Sequence, residues 1–111
     1  MKEVDFIGKA LDDLRDFPDE ARQQAGYQID LLQRGGRPVG AKPMGTVGQG
    51  CQELVIDAND GWFRVFYVTK VGDTIVVLHA FQKKTNQTSQ KDIKIGQARY
   101  KIALETLGSG Q

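Results

Sequence analysis

Apolar residues change their spacing near the middle of the chain. Before residue 35 they recur at three- and four-residue intervals, Ile7, Leu11 and Leu14 first, then Ala21, Ala25, Ile29 and Leu32. That spacing predicts two helices, the second spanning about 18–33, with Pro18 tolerated at its start and Asp19 and Glu20 favouring the positive end of its dipole. Gly35-Gly36 and Pro38 end it. A short edge strand over residues 2–7, with Val4 and Phe6 on one side, precedes both helices. Residues 35–50 hold six glycines and read as a loop. From Cys51 onward the period becomes two, and residues 51–57, 62–70 and 74–82 are rich in Val, Ile, Phe, Trp and Tyr. Asn59-Asp60-Gly61 and Gly72-Asp73 separate them as hairpin turns. After the polar run KKTNQT, Ser89-Gln90-Lys91-Asp92 is a capping box that opens a last helix running to about Leu107. The prediction is one α+β domain over residues 1–111. It has an antiparallel sheet, made of a short N-terminal strand and a three-stranded meander, two N-terminal helices packed on one face, and a C-terminal helix.

The turns set a register. A two-residue loop at Gly72-Asp73 places Phe66 opposite His79, Arg64 opposite Phe81 and Trp62 opposite Lys83. A two-residue loop at Asp60-Gly61 places Arg64 opposite Asp57 and Phe66 opposite Val55. Because side chains alternate, Glu53, Val55, Arg64, Phe66, His79, Phe81 and Lys83 share one face. Leu54, Ile56, Phe63, Val65, Tyr67, Val76, Leu78 and Ala80 share the other, which is the expected core beneath the helices.

Composition excludes several classes. With 111 residues, 40% hydrophobic and 26% charged, the chain is an ordinary globular domain rather than a disordered or fibrous one. It has no 18-residue apolar run for a membrane helix, and its start lacks an apolar segment of signal-peptide length. One Cys and one His make a protein-built zinc site implausible, and a lone Cys51 fits a reducing compartment. The expectation is a cytoplasmic protein with no metal, no cofactor and no membrane partner. GTVGQG at 45–50 lacks the glycine order of a dinucleotide fingerprint and the Lys-Ser/Thr of a P-loop, so nucleotide binding is discarded. Net charge is +1, yet residues 1–60 carry seven basic and eleven acidic side chains, and residues 61–111 carry eight and three. The second half is therefore the cationic one.

The expected open face gathers an arginine, the only histidine, two phenylalanines and a lysine pair. Cations can hold a phosphate, aromatic rings can stack on bases, and an imidazole can move a proton near neutral pH. Together they suit metal-free RNA cleavage, in which the 2′-hydroxyl attacks the adjacent phosphorus. Each group also has a plainer reading. Arg64 can pair with Asp57 across the hairpin, and Lys83-Lys84 can be a solvated strand edge. Phe66 and Phe81 can form a second core under the last helix, whose Lys91, Lys94, Arg99 and Lys101 can be a solvated face.

The stretches LDDLRDFPDEARQQAGYQIDLLQRGGRPVGAKPMGTVGQG, GWFRVFY and VLHAFQKKTNQT closely resemble the phage Gp49-like, HigB-type toxins of the RelE/ParE superfamily of type II toxin–antitoxin systems. The resemblance covers roughly residues 4–101. It implies a RelE-like fold, ribosome-dependent endonuclease action on translated mRNA, and neutralisation by a helix-turn-helix (HigA-like) antitoxin. By position it implies that Arg64 engages the scissile phosphate, that Lys83 and Lys84 lie near it, and that His79 is the acid or base. Lys42 in Lys42-Pro43-Met44, with Phe66, Phe81, Lys91, Lys94, Arg99 and Lys101, would contact RNA or the ribosome. Many relatives carry Arg where this chain has Val55, which removes one phosphate contact worth about 1–3 kcal/mol. Two other readings stand beside this one: a ParE-like toxin that poisons gyrase without cleaving RNA, and an inactive relative that only binds its antitoxin.

Overall fold

Turn chemistry and alternation shape the strand-rich half. In the computed structural model, which describes residues 2–71, 73–84 and 88–107, the elements are β1 (Glu3–Phe6), α1 (Ala10–Arg15), α2 (Asp19–Gln33), β2 (Lys42–Pro43), β3 (Cys51–Ala58), β4 (Gly61–Val71), β5 (Thr74–Lys83) and α3 (Gln90–Leu107). The strands form one sheet in the order β1-β5-β4-β3-β2. Two details differ from the sequence reading. β1 runs parallel to β5, so the sheet is mixed, and β2 is a fifth strand inside the expected loop, antiparallel to β3. A two-residue strand carrying a proline has too little alternation to register in a sequence pattern. The predicted Gly72 turn position and residues 85–87 lie outside the described residues.

The helices follow their capping chemistry. Pro18 occupies the N-cap of α2, and Ala21, Ala25, Ile29 and Leu32 are its buried stripe, as the spacing predicts. α1 is shorter than expected and buries Ala10 and Leu14, while Ile7 precedes it and packs on the opposite side of the sheet. Ser89 Oγ accepts the Asp92 backbone N–H at 3.2 Å, which is the predicted cap of α3.

Hairpin geometry corrects one register. Gly61 has φ +128°, a conformation closed to most L side chains, so it opens β4 directly after an Asn59-Asp60 turn. Ala58 therefore pairs with Gly61, Val55 with Arg64, Asp57 with Trp62 and Glu53 with Phe66. The slip relative to the expected pairs is two residues, so no side chain changes face. The β4–β5 pairs Phe66–His79, Arg64–Phe81 and Trp62–Lys83 are as expected.

A second correction concerns Val76 and Leu78. Pairing jumps from Phe66–His79 to Tyr67–Val77, which leaves Leu78 as an extra residue on β5. Such a bulge reverses the alternation beyond it. Val76 and Leu78 thus join the cluster of Val47, Cys51, Phe66, Val68 and Ala103 under α3. Ile75 and Val77 take their places with Leu54, Ile56, Phe63, Val65, Tyr67 and Ala80 under α1 and α2. α3 roofs the sheet face that the sequence reading left open. Gly96 permits the close approach, since a Cβ there would lie 2.8 Å from the Phe66 ring.

Candidate functional site

The site is built on the β4–β5 pair and closed by the first turns of α3. Residues 62, 64 and 66 project from β4 toward α3, and 79, 81 and 83 project from β5 beside them. His79, Phe81 and Phe66 form an aromatic group: His79 stacks on Phe81 with centroids 4.8 Å apart, and Phe66 meets Phe81 edge-on at 5.1 Å. Phe66 is fully enclosed, at 0% exposure. It is a core residue and presents no ring to a base, which corrects its expected role as a stacking surface.

His79 is 5% exposed and bound on both sides of its ring. Nε2 lies 2.8 Å from Asp92 Oδ1, and Nδ1 lies 3.4 Å from Arg99 Nη1. A carboxylate can only accept and a guanidinium can only donate, so Nε2 carries the hydrogen and Nδ1 is bare. Burial lowers the pKa of His79 below its ordinary value and Arg99 acts in the same direction, against the opposing pull of Asp92. Asp92 also accepts from Ser89 Oγ at 2.7 Å, so one carboxylate serves the helix cap and the imidazole. Arg99 Nη1 donates to the Leu78 carbonyl at 3.0 Å. This ties half-buried Arg99 to the sheet and takes it off the fully solvated helix face.

Arg64 is 7% exposed. Its Nε stands 3.5 Å from Glu53 Oε2 without hydrogen-bond geometry, and Nη1 donates a long bond to the Phe63 carbonyl at 3.5 Å. A well-made guanidinium–carboxylate contact measures about 2.7–2.9 Å. Among the described residues, Arg64 is therefore charge-compensated but poorly hydrogen-bonded, and its buried Nε has no hydrogen-bond partner. Thr88 Oγ1 donates to the same Glu53 oxygen at 3.4 Å, and the Trp62 ring centroid lies 5.7 Å from the guanidinium carbon. Asp57, the alternative partner for Arg64 in the sequence reading, faces Trp62 instead.

Beside these groups, Phe81, Lys83, Lys84, Ser89, Lys91 and Asp92 line a cleft of about 220 Å³. Lys91 and Asp92 also border a groove of about 410 Å³ that opens toward Asp13, Asp16 and His79. Lys84 and Lys91 are exposed and Lys83 half-buried, so the cleft has a cationic rim. Lys94 and Lys101 point outward from α3, and Lys42 is exposed on β2 opposite Glu53. Val55, half-buried, faces Arg64, so a cation at this position would have stood beside the guanidinium. A larger cavity of about 580 Å³, by Lys2, Arg37 and Tyr67, holds none of the expected residues.

Three participants escaped the sequence reading. Asp92 was legible as a cap but not as the partner of His79, because no periodicity says where a helix N-terminus lands. Glu53 was on the correct face without a partner, since the two-residue register slip hid its nearness to Arg64. Trp62, at 49% exposure, is the large aromatic of this region that remains open to solvent.

The model of the family described as phage derived protein Gp49-like (DUF891) matches residues 12–101. Among solved structures, the isolated RelE toxin of E. coli superposes with a TM-score of 0.61 at 16% identity, covering 85% of this chain and 97% of that one. A free-state E. coli RelE carrying two Arg→Ala substitutions gives 0.60 at 15% identity, with 94% and 95% covered. No curated protein matches the chain. With its family pattern running from the first helix into the last and its sheet order closed by α3, the chain belongs to the Gp49-like family and has the fold of the RelE toxin.

Proposed function

We propose that the protein is the toxin of a type II toxin–antitoxin pair and cleaves translated mRNA on the ribosome, by attack of a 2′-hydroxyl on the adjacent phosphorus. The observation that carries this reading is Arg64: a buried guanidinium whose Nε has no hydrogen-bond partner among the described residues, next to an open tryptophan and a lysine-rimmed cleft. A group that is charged, desolvated and short of hydrogen bonds gains most from an anion that supplies acceptor oxygens.

In this mechanism the 2′-oxygen forms a bond to phosphorus and the bond to the 5′-oxygen breaks. The products are a 2′,3′-cyclic phosphate and a 5′-hydroxyl. Arg64 stabilises the charge that builds on the phosphoryl oxygens, and Lys83 and Lys84 hold the flanking backbone. One group removes the 2′-hydroxyl proton and another protonates the 5′-oxygen. His79 is the candidate for one of these steps, and its engaged nitrogens set a condition: the contact with Asp92 or with Arg99 must open before it exchanges a proton with RNA. Phe81, half-buried at the cleft, lies beside the strand's path, while Lys42, Lys91, Lys94 and Lys101 supply cationic contacts to rRNA and message. Neutralisation falls to a helix-turn-helix antitoxin of the HigA type, and the reaction takes place in the cytoplasm.

The enclosure of His79 favours a second reading, gyrase poisoning, in which the imidazole is a strut between β5 and α3 and no RNA is cut. Induced expression followed by mapping of RNA 5′ ends separates the two. Cuts inside reading frames that vanish with Arg64→Ala support cleavage. A DNA-damage response with intact messages refutes it.

A further inference from the structure

We propose that Trp62 is the stacking platform for a nucleobase of the RNA strand whose phosphate Arg64 engages; this rests on the RNA-cleavage reading and adds a base-binding subsite to it. Trp62 is the chain's one tryptophan. It follows Gly61 at the start of β4, on the side of the strand that carries Arg64 and Phe66. Phe63, its neighbour in the chain, is buried under α1 and α2, whereas Trp62 leaves 49% of its surface to solvent. An exposed indole adds nothing to a core, so its position calls for another account.

The surroundings suit a base. The guanidinium carbon of Arg64 is 5.7 Å from the ring centroid, a cation–π distance that backs the ring on one side. Lys83 is its cross-strand neighbour on β5 and Asp57 its neighbour on β3. Alternate residues on a strand stand about 7 Å apart. One nucleotide can span that gap, its phosphate at Arg64 and its base on the indole. Aromatic stacking accepts any base, because every base has a π-face. The platform therefore holds the strand in place and reads little sequence.

The lone tryptophan makes the test direct, because emission excited at the red edge, where the three tyrosines do not absorb, reports on this ring alone. An eight-nucleotide RNA, fully 2′-O-methylated and so uncleavable, is titrated into the full chain at low salt, beside a backbone of equal length with abasic positions. Binding is followed in parallel by anisotropy of a label on the oligonucleotide. The base-bearing oligomer should quench Trp62 and the abasic one should not. Trp62→Phe should keep most of the affinity and Trp62→Ala should lose roughly tenfold, with circular dichroism and Tm unchanged for both. If anisotropy shows binding but Trp62 is not quenched, or Trp62→Ala binds like the parent, stacking is wrong and the RNA reading survives. If no oligomer binds by anisotropy, with or without ribosomes added, the RNA interface itself fails, and stacking with it. Quenching by a helix-turn-helix antitoxin but not by RNA would assign the ring to protein contact and overturn the proposal.

Discussion

His79 Nε2 donates to Asp92 Oδ1 across 2.8 Å, joining the middle of β5 to the first turn of α3. The same imidazole receives Arg99 at its other nitrogen, so its neutral form is the one the fold accommodates. The order of events on acidification follows. His79 titrates below its ordinary value of 6.5 in the folded chain, chiefly through burial. The unfolded chain therefore binds its proton first as pH falls. The stability His79 confers is complete above the unfolded value and is lost on going down through the folded one, at up to about 1.4 kcal/mol per pH unit. Urea midpoints taken from pH 7.5 downward should fall more steeply for the parent than for His79→Gln. Parallel profiles would show that the imidazole is not held neutral.

Asp92 serves two partners, so its loss should exceed the loss of either. Ser89→Ala removes the cap and should cost about 1 kcal/mol. Asp92→Ala also strands the His79 N–H and should cost about 2–3 kcal/mol. Equal losses in urea unfolding would mean that the imidazole contact contributes nothing.

Two helical glycines should respond with opposite signs. Gly26 has no atom within 4 Å of an added Cβ, so Gly26→Ala should stabilise by about 0.5–1 kcal/mol through helix propensity. Gly96→Ala gains the same propensity but pushes against Phe66 at 2.8 Å and Val47 at 3.1 Å, and should destabilise by about 1–3 kcal/mol. Thermal unfolding of the two variants checks the close approach of α3 to the sheet.

Burial pushes the Cys51 thiol up to about 12 from 9.0. The folded value is the higher one, so its contribution is fully present below pH 9 and drains away between 9 and about 12 as the unfolded chain ionises. Native protein should react slowly with alkylating reagents at pH 8 and unfold more readily above pH 9. Cys51→Ala should flatten that alkaline decline.

Glu53 and Arg64 predict a split response. Glu53→Gln removes the carboxylate that compensates the buried guanidinium and should destabilise the chain by up to about 3 kcal/mol. The same variant should bind the uncleavable RNA more tightly, because no protein anion then competes for Arg64. Loss of both stability and binding would place Glu53 on the side of the ligand.

The legible parts of this chain were those set by local rules. The Ser89 cap and the buried stripe of α2 followed from capping and helical spacing, and pairs such as Trp62–Lys83 keep the register of the turn before Thr74 because the extra residue at Leu78 is offset by one on β4 between Val68 and Val71. The illegible parts depend on events that alternation does not record. The bulge at Leu78 reversed the faces of Leu78 and Val76, and the turn at Asn59-Asp60 displaced the partners of Arg64 by two. The placement of α3 rests on Ile93, Gly96 and Ala103, a stripe too small to announce a sheet partner, and its roof turned Phe66 from a surface into a core residue.

The extra residue at Leu78 has a consequence of its own. Without it, every other side chain of β5 would keep the face it has now, since Val77 already pairs with Tyr67 as a regular strand requires. The strand could be spelled one letter shorter with no loss of pattern. What would vanish is the Leu78 carbonyl that accepts from Arg99, and with it one of the hydrogen bonds fastening the sheet to the helix that covers its cationic end. The irregularity is thus a buckle, and the grip of α3 on the site is adjustable by the length of β5 as well as by its composition.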